Sequence, residues 1–232
     1  MELLIQGIIE ALRLIVTLDR EVLSITLLSL KVSGLATILS VLLGMGGGTA
    51  LALSDFPGKR ILVSMVNTGM GLPPVVVGLF VTLCLWRSGP FGFLELLYTP
   101  WAMVIAQCII ASPIVMGITI AAIQNLPPNL RLQILALGAS RLQLYLLLLR
   151  EARLPLLAAI MAGFGGVISE VGAAIMVGGN IKGQTRVLTT ATVMESGKGN
   201  FHIAIALGLI LLLLCFGINY LLTVVQQLER PR

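Results

Sequence analysis

Residues 32–54 contain no Asp, Glu, Lys or Arg. At about 1.5 Å of rise per residue, a helix over that run crosses a hydrocarbon core of about 30 Å. Residues 61–86, 102–122 and 201–228 are equally free of those four residue types, and 156–179 holds a single charged side chain, Glu170. Backbone polar groups in lipid must be satisfied inside their own segment, so such runs fold as helices. Charged residues make up 11% of the chain and the mean hydropathy is +1.04, against about 25% charged residues in soluble proteins. The fold class is therefore an all-α polytopic membrane protein with five transmembrane helices.

The formal net charge of +5 raises nucleic acid as a partner, but the basic residues are scattered among loops between the apolar runs. That distribution fits positive-inside topology instead. Lys59, Arg60, Arg131, Arg141, Arg150, Arg153, Arg230 and Arg232 then fall inside, against Arg13, Arg20, Arg87, Lys182, Arg186 and Lys198 outside. This places the N-terminus outside and the C-terminus in the cytoplasm. Cys84, Cys108 and Cys215 each sit in an apolar run, with no disulfide or zinc spacing. The phosphate-binding, zinc-protease and nucleophile-elbow motifs are absent, which argues against an enzyme.

Residues 1–21 place Leu3, Ile8, Leu12 and Ile15 near one helical face, with Glu2, Glu10 and Arg13 elsewhere, the pattern of an interfacial amphipathic helix, with a short extra span as the alternative. Residues 22–228 form the transmembrane domain, whose first helix starts at 32 or as early as Val22, with Lys31 snorkelling or facing protein. Gly44, Gly46, Gly47 and Gly48 permit either close helix contact or a flexible end. In the second run, Pro73 and Pro74 remove two consecutive backbone donors, so that helix is expected to break at membrane depth. Such a break marks a pathway or a structural kink. Ser112-Pro113 marks a kink in the third run.

Between the third and fourth runs, residues 126–155 combine helical patterning, a glycine and four arginines. Two short helices are expected, one opening after Pro127 and Pro128 with Asn129 as cap, the other running from Arg141 toward Arg153. Leu137, Gly138 and Ala139 join them, Gly138 supplying the tight bend. The fourth run reads as the fourth span, with Glu170 inside it, flanked by Ser169 and by Gly172. A carboxylate at that depth costs about 2.5–3.5 kcal/mol on insertion scales, so Glu170 belongs to a hydrogen-bonded network or to a transport path. Residues 178–200 read as an external loop in which Thr189, Thr190 and Thr192 form a short helix at the pore mouth. Its basic residues either draw in an anion or solvate the loop. His202 sits at an interface and is no metal ligand.

The stretch LALGASRLQLYLLLLREARLP resembles the coupling loop of ABC importer permeases, whose motif reads EAA, three residues, Gly, a nine-residue spacer, Ile, any residue, Leu-Pro. Gly138 matches the Gly and Ala139 follows it. Leu132, Gln133 and Ile134 replace EAA, Glu151 stands at the first Pro, and Pro155 matches a second Pro of some members. Ser169, Glu170, Val171, Gly172 and Ala173 are similar to a recurrent segment of the molybdate, tungstate and sulfate permeases. The stretch FPGKRILVSMVNTGMGLPPVVVGL resembles tungstate permeases more than the others. The resemblance covers most of the chain after residue 22.

The resemblance implies a tungstate importer permease, with molybdate or sulfate as alternatives, in a prokaryotic cytoplasmic (inner) membrane. It implies a homodimer with two cytoplasmic ATP-binding subunits, which hold the ATP and magnesium, and an extracytoplasmic substrate-binding protein. No cofactor belongs to this chain. Asn129, Arg131, Leu137, Gly138, Ala139, Ser140 and Arg141 would couple to the ATPase. Pro73, Pro74, Ser169, Glu170 and Gly172 would form the pathway or gate, meeting across the dimer axis. A secondary transporter using Glu170 is the rival reading, and it calls for further intramembrane carboxylates or an inverted repeat, neither of which the sequence displays.

Overall fold

The computed structural model describes residues 2–17 and 19–228. In chain order the helices are α1 Glu2–Val16, α2 Arg20–Leu53, α3 Lys59–Gly69, α4 Pro74–Leu85, α5 Pro100–Gln124, α6 Pro128–Ala136, α7 Arg141–Glu151, α8 Arg153–Ile168, α9 Gly172–Gly178, α10 Leu188–Gly197 and α11 Phe201–Leu228. Three of them, α2, α5 and α11, are long and apolar enough to cross a membrane unbroken. The pairs α3–α4 and α8–α9, bent by 104° and 57°, pass the same test of length and apolarity when each pair is taken together, which gives up to five spans. The C-terminal residues Glu229, Arg230, Pro231 and Arg232, expected in the cytoplasm, lie outside the described residues.

At its N-terminal end α2 is capped by Asp19, whose carboxylate accepts the N–H groups of Glu21 and Val22, each at 3.0 Å. The helix runs without interruption through its glycines, and Lys31 is exposed. Ala36, Ser40, Gly44 and Gly48, spaced four apart, fall on one face and are buried against α5. A Cβ on Gly44 would lie 2.6 Å from Val115 Cβ, and one on Gly48 would lie 2.8 Å from the Met116 carbonyl oxygen. Ser40 Oγ donates to the Ala36 carbonyl at 2.6 Å and approaches the Cys108 carbonyl at 3.4 Å. The successive contacts at Cys108, Val115 and Thr119 show that α2 and α5 run in the same direction. Lipid offers no hydrophobic drive for such a pair, so backbone approach and dispersion hold it together.

Beyond this pair, α1 packs on α11 through the buried Gly7 and Ala11 and leaves Leu4, Ile5, Ile8, Ile9 and Leu12 exposed. Helix α3 buries none of its residues.

The fourth run is broken at residues 169–171, where Ser169 ends α8 and Gly172 opens α9. Gly172 supplies the small first residue that lets α9 start against α4. Within 178–200 the expected short helix over Thr189, Thr190 and Thr192 is α10, and it is docked into the protein with Thr189, Thr190 and Ala191 buried. Its threonines spend their hydroxyls internally: Thr190 donates to the Val187 carbonyl, Thr192 to the Leu188 carbonyl and Thr189 to the Glu170 carbonyl. The basic residues there are paired. Glu21 binds Lys182 at 2.6 Å and Arg186 at 3.6 Å, and Glu195 binds Lys198 at 2.8 Å. The Lys198 and Asn200 hydrogen bonds hold the Glu195 carboxyl below the usual carboxylate range.

The α2–α5 contact generates a paired prediction. Gly48→Ala forces a Cβ against backbone and is expected to destabilise by about 1–3 kcal/mol. Gly46→Ala, where nothing lies within 4 Å, is expected to be neutral or to stabilise by up to about 1 kcal/mol. Thermal unfolding of the two purified variants checks the contrast.

Candidate functional site

The two helix breaks lie side by side within one chain. Pro73, extended at φ −61° and ψ 122°, precedes α4, and Pro74 takes the first helical position, where a missing N–H costs nothing. The Pro73 carbonyl accepts the Val76 N–H at 2.9 Å, and Gly69 to Leu72 make the turn that leaves α3. Helix α9 starts against this turn. A Cβ on Gly172 would lie 2.6 Å from Val75 Cγ2, and one on Gly78 would lie 2.7 Å from Ala173 Cα. The meeting expected across a dimer axis is thus already made inside one protomer, and two glycines are what permit it.

Glu170 is buried with its carboxylate turned into the protein, where Oε1 accepts the Ala173 N–H at 2.9 Å. It caps α9 and places negative charge at the positive end of that helix. Its own carbonyl accepts the Thr189 hydroxyl at 3.0 Å, which ties the second break to α10. Ser169 is exposed and donates to the Gly165 carbonyl at 2.7 Å. The surface of the breaks therefore presents Pro73, Leu72 and Ser169.

A feature missed in the sequence leads up to this place. Arg60, Ser64 and Thr68, four residues apart on exposed α3, share a cleft of about 420 Å³ with Gly69 and Leu72. The spacing of one cation and two hydroxyls on a single helical face was the available signal.

The 126–155 segment builds a protruding joint. Helix α6 opens with Pro127 as its cap and Pro128 as its first residue, so the expected cap Asn129 is instead the second helical residue and exposed. Proline at that first position makes a side-chain cap there unnecessary. At the other end Gly138, at φ +81°, closes the helix. Its N–H bonds the Leu135 carbonyl at 3.0 Å and the Ala139 N–H bonds Ile134 at 3.4 Å, the paired bonds of a Schellman stop. Ser140 then starts α7 with a reciprocal cap. Its Oγ accepts the Gln143 N–H at 3.3 Å and Gln143 Oε1 accepts its N–H at 2.8 Å.

The joint projects from the bundle while its base is fixed. Leu137 is 88% exposed, and Arg131, Gly138, Ser140 and Arg141 are exposed around it, with Ala139 half-buried. Below, Leu144 and Leu148 of α7 pack with Ala122, Ile123 and Leu156. Arg131 donates to the Leu53 carbonyl at 3.1 Å, placing a cation on the negative end of α2. The sequence-derived residues therefore form two groups, the joint and the adjoining breaks.

Removing the Glu170 carboxylate tests its bracing role. Glu170→Ala leaves the Ala173 N–H without its acceptor and is expected to cost about 1–2 kcal/mol. Glu170→Gln keeps an oxygen acceptor and is expected to cost less than about 1 kcal/mol. The order of the two melting temperatures decides it.

Comparison with known proteins places residues 36–230 within the family model described as the binding-protein-dependent transport system inner membrane component. A probable anion ABC transporter permease protein of Haloferax volcanii is 46% identical over 203 residues, covering 85% of this chain and 88% of that protein. The tungstate uptake system permease protein TupB of Peptoclostridium acidaminophilum is 39% identical over 227 residues, 98% of this chain and all of that protein (100%). Among solved structures, an amino acid ABC transporter with histidines superposes with a TM-score of 0.66 at 22% identity, covering 92% of this chain and 96% of the other, a likeness of fold.

Proposed function

The chain belongs to the family of binding-protein-dependent transport system inner membrane components, and from that premise we propose that it is the permease subunit of an ATP-driven tungstate importer. The observation that carries the cargo is its likeness, along nearly its whole length, to a tungstate uptake permease. In this reading two copies form the pathway in a prokaryotic inner membrane, with the N-terminus outside and the C-terminus in the cytoplasm. Two ATP-binding subunits supply ATP and magnesium from the cytoplasm, and an extracytoplasmic binding protein delivers the anion. Helix α1 lies in the outer interface, where its exposed Leu and Ile residues meet lipid.

The geometry supports a division of labour. The apolar tip at Leu137, rimmed by Arg131 and Arg141, seats in a groove of the ATPase. Movement of that subunit passes through the rigid Gly138 joint to α7 and, through Arg131, to the end of α2. The restriction in the pathway is where the Pro73–Pro74 break meets the Ser169–Gly172 break.

An oxyanion of charge two is costly to strip of water. Arg60, in the cleft that reaches Gly69 and Leu72, is the cation nearest the first break, and Glu170 is occupied with the α9 N–H group. A weak donor such as the Ser64 hydroxyl suits transit without tight capture, and anion choice falls to the binding protein.

Co-expression of the chain with its ATPase and binding protein in sealed vesicles tests this reading. ATP-dependent uptake is expected to favour tungstate over molybdate and sulfate. Gly138→Val, which forces a β-branched residue to φ +81°, is expected to abolish transport-coupled ATP hydrolysis while membrane insertion is retained. Uptake driven by an ion gradient without ATP contradicts the proposal.

A further inference from the structure

Gln107 is 3% exposed on α5, and its Oε1 atom has no hydrogen-bonding partner in the protein. A buried amide oxygen without a donor is costly, so such an atom calls for an explanation. It adjoins a largely enclosed cavity of about 10 Å³ that Ser29, Ser33 and Thr189 also line. Ser33 is 4% exposed, and its hydroxyl makes no hydrogen bond among the described residues. Ser29 Oγ donates to the Ile25 carbonyl at 2.7 Å and accepts the Leu188 N–H at 2.8 Å, which leaves it one lone pair.

We propose that this cavity is a binding site for one water molecule that cross-links α2 to α5 behind the second helix break. The three side-chain oxygens facing the cavity can all be satisfied by this water. The water donates one hydrogen to Gln107 Oε1 and the other to the remaining lone pair of Ser29 Oγ, and it accepts the Ser33 hydroxyl hydrogen. Three hydrogen bonds are the usual complement of a buried water, and about 10 Å³ is close to the least volume that holds one. A tetrahedral oxyanion is excluded by size. A magnesium ion is excluded by the donor set, because it is bound through carboxylates and retained waters, and the lining residues offer no carboxylate and no room for such waters.

The position gives the water a task. Ser29 holds the Leu188 N–H, the first residue of α10, and the next residue, Thr189, holds the Glu170 carbonyl. The water therefore fixes the serine face of α2 and the Gln107 side chain beneath the α10 segment that fastens the break at Glu170. Gln107 acts here as a positioning residue. The inference rests on side-chain geometry alone and stands whichever anion the protein carries.

A double-mutant cycle on the full chain in lipid nanodiscs tests it, with melting temperature as the readout. Gln107 and Ser33 share no direct hydrogen bond, so coupling between them reports the bridge. Gln107→Met and Ser33→Ala are each expected to lower the midpoint by about 3 °C. The double variant is expected to fall no further than the worse single variant. Should Gln107→Met not fold, Gln107→Asn replaces it in the same cycle with the same expected coupling. Strictly additive losses overturn the proposal. A rise in midpoint for Gln107→Met also overturns it, since a dry site is relieved by losing its unpaired carbonyl.

Discussion

The close parallel approach of α2 and α5 is the contact on which the other elements depend. Four small residues at four-residue spacing, Ala36, Ser40, Gly44 and Gly48, bring the two backbones together where larger side chains would hold them apart. Helix α8 then packs into the same pair, with Gly163 facing Val115, and the breaks and the protruding joint attach around that frame. In lipid this arrangement is favoured by shape more than by hydrophobic burial. That is why Gly44, Gly48 and Gly163, within this frame, leave no room for a methyl group.

Around that frame, two bent spans put irregular backbone at membrane depth, and each solves the resulting hydrogen-bond problem differently. Proline removes donors at the first break. At the second, Glu170 supplies an acceptor for the Ala173 N–H, and its carbonyl is in turn satisfied by Thr189. The intramembrane carboxylate is thereby explained as a helix cap. The protruding joint obeys the same accounting, with Gly138 stopping α6 and Ser140 starting α7 within three residues. A segment so fully capped transmits displacement without fraying.

Much of this was legible in the sequence. Charge-free runs fixed the number of spans, because lipid admits few alternatives. Pro73 and Pro74 marked the first break and Gly138 the joint, since each residue type forbids or permits particular backbone angles. Asn129 misled because a proline pair can start a helix without a side-chain cap. The break at 169–171 carries no proline, and it arises from tertiary contact between Gly172 and Val75. Thr189 and Thr190 resembled surface residues, but their hydroxyls are satisfied inside the protein by partners distant in sequence or set by the local turn. Pairing of Lys182 and Arg186 with Glu21 likewise joins residues far apart in the chain.

The central claim is that the two adjoining breaks form the restriction that the cytoplasmic joint moves. Accessibility of a cysteine placed at exposed Ser169, in a chain whose Cys84, Cys108 and Cys215 have been replaced, measures that directly. With the ATPase bound, a membrane-impermeant thiol reagent added from outside is expected to modify Ser169→Cys in one nucleotide state and to be excluded in the other. Equal modification rates with and without nucleotide would contradict the account.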